Sequence, residues 1–90
     1  MEKVLRQSLL NTAAVYARAS GCAISTVSRR VKNNAAFFKD IGDPTKSFTA
    51  RTYDEVMRWF AKNWPEGKER PFELLKWIRE SDERRLKVTA

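Results

Sequence analysis

The chain of 90 residues is predicted to fold as a mainly α-helical bundle of four to five helices. Three observations predict this: apolar side chains recur at helical spacing, a glycine stands between two short helical segments, and only the stretch 36–51 also fits β-structure. Hydrophobic residues make up 42% of the sequence, which is enough for a compact core. This length supports one small domain, so residues 1–90 are treated as a single unit.

The first helix is predicted over the alanine-rich stretch Ala13–Ala19, which has high helix propensity. Thr12 precedes it and is assigned as the N-cap, because its hydroxyl can accept a hydrogen bond from an unpaired backbone N–H. Gly21 is expected to end the helix in a left-handed conformation. Residues 1–11 have apolar positions without a clear period and fit either a short helix or an arm.

A second helix is predicted from Ile24 to Asn34, only a few residues after the first. Val27 and Val31 lie one turn apart and should face inward, with the polar side chains on other faces. Two short helices around a tight turn that begins with glycine form a helix-turn-helix, here residues 12–34. Cys22 falls in the turn and is expected to pack between the two helices.

The stretch 35–51 is predicted as a β-hairpin or, alternatively, as a loop whose aromatic side chains fold back onto the core. Residues 36–41 fit a strand, Gly42-Asp43-Pro44 is strong turn chemistry, and residues 47–51 fit the returning strand. A hairpin at about 36–51 would form a wing beside the helix-turn-helix.

A core helix is predicted over residues 52–64. Thr52 and Glu55 have the form of a capping box at its start, and Thr49 is a rival cap one turn earlier. One face of this helix carries an apolar stripe that is assigned to the core, formed by Val56, Trp59, Phe60 and Trp64.

The last helix is predicted over residues 71–86, with Pro71 at its first position, where a missing N–H costs nothing. Two interpretations of this helix stay open. It either covers the small core or presents an interface to a second copy of the chain. The residues assigned to that dimer interface are Phe72, Leu75 and Ile78.

Charge is unevenly distributed along the chain. The 18 Lys and Arg residues against 11 Asp and Glu residues leave a net charge of +7. Residues 1–53 carry nine basic and three acidic side chains, a net +6, whereas residues 54–90 carry nine and eight, a net +1. A merely solvated surface would mix both signs, as the second part does. The first part therefore predicts a partner that carries phosphates.

Composition excludes several classes of function. The chain has no His and one Cys, which excludes His-based catalysis, an internal disulfide and, from the Cys alone, a structural zinc site. Neither a catalytic constellation nor a glycine-rich phosphate loop is present, so we expect no enzyme and no cofactor. Since there is no apolar run of roughly 18 residues and no signal peptide pattern, we expect a cytoplasmic, nucleoid-associated protein without a membrane partner.

Residues 21–33 read G-C-A-I-S-T-V-S-R-R-V-K-N and resemble the helix-turn-helix of the lac-repressor family, which typically reads A-G-V-S-x-x-T-V-S-R-x-x-N. Residues 48–56 are similar to that family's V-S-x-x-T-R-x-x-V entry to a third helix, and Thr12 matches the usual cap of its first helix. The other matching positions are Ala17, Gly21, Thr26, Val27, Ser28, Arg29 and Asn33. The resemblance covers residues 12–64 at most.

The chain departs from this family in two ways. About ten extra residues separate Asn33 from the second matching stretch. If they form a hairpin, the chain would look more like a winged helix-turn-helix or a small phage or plasmid regulator. The family's effector domain and hinge helix have no counterpart, so no small-molecule effector is expected.

The resemblance implies that the second helix enters the major groove of double-stranded DNA with its N-terminal end first. Ile24, Ser25 and Arg29 would then lie nearest the base edges. Arg29 can bridge guanine O6 and N7 with two parallel hydrogen bonds, Ser25 discriminates weakly, and Ile24 offers apolar contact to a thymine methyl.

Phosphate contacts are expected from the remaining polar residues of the same helix. The resemblance implies phosphate or backbone contacts for Thr26, Ser28 and Asn33, and the charges of Arg30 and Lys32 would add sequence-independent affinity. If a wing forms, its basic side chains would reach phosphate or the minor groove; they are Lys39, Lys46 and Arg51.

Taken together, the sequence predicts a sequence-specific double-stranded DNA-binding protein, a transcriptional repressor that acts as a homodimer on a palindromic operator. One alternative is an architectural or excisionase-type protein in recombination, which would share the motif and depend more on a wing. Another alternative, from a different class, is a helical adaptor that binds an acidic protein.

Overall fold

The computed structural model describes residues 2–43 and 45–89, with side chains described over 3–43 and 45–83. Five helices follow one another along the chain: α1 Glu2–Ser20, α2 Ile24–Lys32, α3 Phe37–Ile41, α4 Ala50–Asn63 and α5 Phe72–Thr89. The mainly helical fold is therefore confirmed, and the described residues contain no strand. None of the helices in this part of the chain is both long and apolar enough to cross a membrane.

Helix α1 is one continuous helix that begins well before the alanine-rich stretch. The N-cap assigned to Thr12 is wrong, because Thr12 lies in the helix interior with its side chain fully buried. Contacts with other elements hold the early turns in place. Leu9 is fully buried in the core, and Asn11 Nδ2 donates to Glu73 Oε2 of α5 at 2.8 Å. Residues 2–11 are thus part of the helical body, neither a separate short helix nor an arm.

A glycine turn joins α1 to α2, as predicted. Gly21 has a φ of +67°, its N–H donates to Arg18 O at 3.3 Å, and Cys22 N–H donates to Ala17 O at 3.0 Å. These two bonds form a Schellman motif, which closes the last turn of α1. Helix α2 ends at Lys32, two residues before its predicted end, since the next residue adopts a left-handed conformation.

Replacing Gly21 with alanine is expected to destabilise the fold by about 1–2 kcal/mol, because a Cβ disfavours the left-handed conformation. No heavy atom lies within 4 Å of a Cβ built there, so the cost is one of backbone conformation alone. Gly42, with a φ of −71°, is the matched control, and Gly42→Ala should leave stability unchanged or raise it by up to about 1 kcal/mol. Urea unfolding measures both; equal losses would contradict the role given to Gly21.

The strand predicted at 36–41 is wrong, because Phe37–Ile41 forms the short helix α3. Phe38 and Ile41 are both buried, and a spacing of three places them on one side of a helix but on opposite faces of a strand. The start of α3 is fixed from α2, where Ser28 Oγ accepts a hydrogen bond from Phe38 N–H at 3.1 Å. A hairpin wing is accordingly not seen in the described part of 36–51.

Arg6 of α1 holds the segment after α3 against the helical body. Its Nε donates to Ile41 O at 2.7 Å, and its Nη2 donates to Lys46 O at 2.6 Å. The guanidinium carbon lies 5.6 Å from the ring centroid of Phe48, within the range of a cation–π contact. The residues after α3 therefore follow the loop alternative, in which an aromatic side chain folds back onto the helical body. Pro44 of the predicted turn lies outside the described residues.

Helix α4 begins at Ala50, earlier than the capping-box interpretation predicts. Thr49 is its N-cap, since Thr49 Oγ1 accepts a hydrogen bond from Thr52 N–H at 3.1 Å. The rival cap is thereby confirmed, and Thr52 as N-cap is wrong.

The apolar stripe of α4 forms the centre of the core, as predicted. Val56 and Phe60 are fully buried, and the centroid of the Phe60 ring lies 5.4 Å from that of Tyr16 and 6.1 Å from that of Phe38. Phe60 thus joins α1, α3 and α4 in a single aromatic cluster. Trp64 is also buried, whereas Trp59 packs on the cluster with part of its ring exposed.

Helix α5 covers one side of this core. Leu74 and Trp77 are buried, and the indole Nε1–H of Trp77 donates to Asp54 Oδ1 of α4 at 3.0 Å. The helix begins one residue later than predicted, and Pro71 O accepts the first bond of the helix from Leu75 N–H at 3.1 Å. The inner face of α5 thus covers the core, and the dimer interface assigned to its exposed residues stays a prediction.

Candidate nucleic-acid interface

Helix α2 packs against α1 and α3, whereas α5 packs against α1 and α4. The inner side of α2 is anchored by Val27, which is fully buried, and by Val31, which packs against the core, as does Cys22 in the turn before the helix. The opposite side of α2 faces solvent. This arrangement leaves one polar face of a short helix open to a partner.

The three residues predicted to read bases lie at the solvent-facing side and N-terminal end of α2. Ile24 is 38% exposed, and Ser25 and Arg29 are exposed as well. Ser25 and Arg29 stand four residues apart and therefore share one face of the helix. Within the described part of the chain, the Arg29 side chain has no hydrogen-bond or ion-pair partner, so its guanidinium is available to an external acceptor.

Ser28 does not belong to the DNA-contact set predicted from the sequence. Its side chain is fully buried, and its hydroxyl accepts the hydrogen bond from Phe38 N–H described above. An oxygen occupied in this way inside the core cannot reach a phosphate. The serine of the T-V-S-R stretch here joins two helices instead.

The other predicted phosphate contacts differ in their surroundings. Arg30 is exposed, and its Nη1 lies 3.4 Å from Tyr16 Oη, a long hydrogen bond that steadies the side chain against α1. Thr26 stands four residues before Arg30, on the same side of α2, and is half-buried. Asn33 is exposed and ends α2 with a φ of 54°, while its N–H donates to Arg29 O at 2.8 Å.

Lys32 is engaged in an ion pair that the sequence does not predict. Its Nζ lies 2.7 Å from Glu55 Oε2 of α4, and Glu55 Oε1 accepts a second bond from Arg51 Nε at 3.2 Å. The i,i+4 spacing of Arg51 and Glu55 is visible in the sequence and is a signal for their pairing. The pairing of Lys32 with Glu55 joins residues 23 positions apart, and no local pattern reveals it.

The ion pair lowers the pKa of Glu55 below its ordinary value of 4.5, first because Lys32 donates a hydrogen bond to the carboxylate and attracts its charge. A carboxyl group whose folded-state pKa is depressed stabilises the fold above its unfolded-state pKa, and that contribution is lost as the pH falls through the folded-state pKa.

Glu55→Gln should therefore lower the free energy of unfolding at pH 7, and this difference should shrink as the pH falls below 4.5. Urea denaturation of the wild-type and E55Q proteins at a series of pH values measures this difference. A difference between the two proteins that stays constant from pH 7 to pH 3 would contradict the role of the carboxylate charge.

The N-terminus of α2 lacks a side-chain cap. Ala23 occupies the N-cap position and offers no side-chain acceptor, and the first turn contains no acidic residue. Three basic residues stand instead toward the end of the helix, where they complement the helix dipole. An uncapped helix N-terminus carries partial positive charge and free N–H donors, a combination that suits phosphate oxygens.

A second exposed surface is formed by apolar side chains of α1 and α5. Phe72 is 70% exposed, Val4 is 66% exposed and Leu75 is 49% exposed. A groove of about 530 Å³ runs beside Phe72 between the two helices. Ile78, also predicted to lie in a dimer interface, packs partly against the core. Sequence reasoning missed Val4, because residues 1–11 have no clear period.

In the described part of the chain, no three His, Cys, Asp or Glu side chains are grouped so that they could hold a metal ion. Comparisons with known proteins return nothing: no protein-family model matches the chain, and neither a curated protein nor a solved structure is detectably similar to it. The resemblance to the lac-repressor family therefore stays a prediction based on the residues quoted above.

Proposed function

We propose that this protein is a sequence-specific binder of double-stranded DNA that inserts α2 into the major groove. The observation that carries the proposal is the outer face of α2, where Ser25 and Arg29 are exposed side by side while Val27 and Ser28 are buried against the protein body. A helix that packs on the protein body with one face and is polar on the other has the shape and chemistry that the major groove admits.

Arg29 is the residue expected to read sequence. A guanidinium offers two parallel N–H donors that match guanine O6 and N7, which no other base edge presents together. Ser25 lies one turn nearer the N-terminus and contacts a neighbouring base, and Ile24 contacts a thymine methyl. These three side chains span few base pairs, so one copy alone reads a short site.

Sequence-independent affinity is assigned to the helix N-terminus and to the basic residues around it. The unpaired N–H groups after Ala23 bind a backbone phosphate, and Arg30 and Arg51 add positive charge on the two flanks of α2. The net charge of +6 in residues 1–53 supports this assignment, because the elements that flank α2 belong to that part of the chain.

The proposed biological role is repression by a homodimer on a palindromic operator. A short site read by one helix is lengthened when two copies bind a two-fold symmetric sequence. Helix α5 is the proposed contact, since Phe72 and Leu75 are exposed there and its exposed side carries both signs of charge, Glu80 beside Lys76 and Arg79. A surface with both signs can pair with its own copy about a two-fold axis.

If the chain forms a dimer through α5, its average molecular mass in solution should rise with protein concentration, and this rise should require Phe72. Sedimentation equilibrium of the wild-type protein should reveal self-association, and Phe72→Ala should weaken it by about 30-fold or more, because buried aromatic anchors contribute about 2 kcal/mol or more. Lys62→Ala on α4 is the control and should associate as the wild type does. A wild-type protein that stays monomeric, both alone and on a palindromic duplex, would contradict the proposed homodimer.

Selection of duplexes from a random pool, followed by binding titrations over a salt series, tests the DNA-binding proposal. A repressor dimer should enrich a palindromic site and bind it with an affinity that falls as salt rises. Enrichment of tandem or bent sites would favour the architectural alternative, which has less support here because no strand is described in 36–51. Failure to enrich any sequence would contradict the proposal and leave the adaptor alternative.

A further inference from the structure

Glu55 occupies a special place at the edge of the proposed DNA-binding face. Each of its two carboxylate oxygens is engaged by a different cation, Oε2 by Lys32 Nζ at 2.7 Å and Oε1 by Arg51 Nε at 3.2 Å. Lys32 belongs to α2, and helical spacing places it on the same face as Ser25 and Arg29, seven and three residues away. One carboxylate thus pairs with both the last basic residue of that face and its neighbour on α4.

The two pairs differ in strength. The Lys32 side chain is 31% exposed and that of Arg51 is 89% exposed, so Lys32 is held in a less solvated position. Ion pairs between fully exposed groups contribute little, whereas partial burial and a short distance make an ion pair more persistent. Lys32 is therefore the cation that Glu55 withholds most effectively from another anion.

We propose that Glu55 is a specificity-determining residue that competes with DNA phosphate for Lys32 and, to a smaller extent, for Arg51. This inference rests on the proposed function. On any duplex, a phosphate near these side chains competes with the carboxylate for the positive charge of either cation. Among the described residues, the hydrogen bonds and ion pairs of Glu55 go to Lys32 and Arg51 and not to Arg29 or Ser25, so base reading is spared while non-specific attraction is reduced. Glu55 thereby raises the ratio of specific to non-specific affinity.

Glu55→Gln is the variant that tests this inference, with Glu69→Gln as a control that makes the same change in net charge at an exposed position of the α4–α5 connection. E55Q should bind a random-sequence duplex more tightly than E69Q does. It should also lose affinity more steeply with salt, by about 3.5-fold more between 50 and 200 mM for each additional phosphate that the variant neutralises. The ratio of affinities for a selected site and a random duplex should fall.

Repeating the E55Q substitution in a Lys32→Ala protein separates competition for Lys32 from a structural role of Glu55. In the Lys32→Ala protein, E55Q should add only the smaller effect that Arg51 supplies, whereas a general charge effect would be the same in both backgrounds. If E55Q changes the free energy of unfolding but leaves both the salt dependence and the affinity ratio equal to those of E69Q, the inference is overturned and the proposed function stands. If the wild-type protein binds no duplex at all, the proposed function fails and this inference fails with it.

Discussion

Replacing Arg29 with alanine is expected to lower the affinity for the selected duplex by about 5- to 150-fold, the equivalent of about 1–3 kcal/mol for one bidentate base contact. The loss should be confined to one position of the site, because the guanidinium distinguishes guanine from the other three bases there. Affinity for random duplexes should change far less. Titration of the wild-type and variant proteins with the selected site and its single-base variants measures both effects.

Lys68→Ala is the matched control for this experiment. Lys68 is exposed in the α4–α5 connection, outside α2 and outside the proposed dimer contact, and its removal changes the net charge by the same amount. It should lower the affinity for all duplexes slightly and equally. An Arg29→Ala protein that keeps both the wild-type affinity and the wild-type base preference would show that α2 is not the reading helix.

Replacing Phe60 with alanine is expected to cost about 3–5 kcal/mol of folding free energy, because the change removes a fully buried ring and leaves a cavity. The ring is shared by three elements: it contacts Tyr16 of α1 and Phe38 of α3 as well as Trp64 beside its own helix. A domain of this size has about 5–13 kcal/mol of total stability, so the variant should lose a large fraction of it.

Thermal and urea unfolding followed by circular dichroism measures this loss. Each kcal/mol lowers the Tm of such a domain by about 4–8 °C, so a fall of roughly 12–40 °C is expected for F60A. Phe72→Ala serves as the control, because the same side chain is 70% exposed there and its removal should change stability by less than about 0.5 kcal/mol. Similar losses in F60A and F72A would contradict the assignment of the core.

Much of this fold could be predicted from local patterns. The spacing of Val56, Phe60 and Trp64 marks a core face because a helix repeats every 3.6 residues, and burial of all three agrees with it. Gly21 marks the end of α1 because glycine is the residue that most readily adopts a positive φ. In both cases the information lies within a few residues of the feature.

Predictions from local patterns are wrong where contacts between distant parts of the chain outweigh local conformational preference. Thr12 has the chemistry of an N-cap, yet packing of Leu9 and the bond from Asn11 to Glu73 continue the helix through it. The segment 36–41 has the composition of a strand, yet the bond from Phe38 N–H to Ser28 Oγ, ten residues away, starts a helix there. Such partners are fixed only when the chain has folded.

The candidate site likewise has features that local patterns predict and features that depend on distant contacts. The exposure of Ser25 and Arg29 agrees with their helical spacing, and their role in DNA binding stays a prediction. The burial of Ser28 and the pairing of Lys32 with Glu55 depend on where α3 and α4 pack against α2, which the sequence of α2 does not contain. The resemblance to a family motif transfers residue types, whereas the surroundings of each residue belong to this fold.

The most direct measurement of the central claim is an NMR titration of the isotope-labelled protein with a duplex that carries the selected site. Amide resonances of Ala23 to Arg30 should shift most, with smaller shifts around Arg51, and the side-chain resonance of Arg29 should shift as its guanidinium binds guanine. Raising the salt concentration should reverse these shifts. Shifts confined to the groove between α1 and α5, or no shifts at all, would contradict the assignment of α2 as the DNA-reading helix.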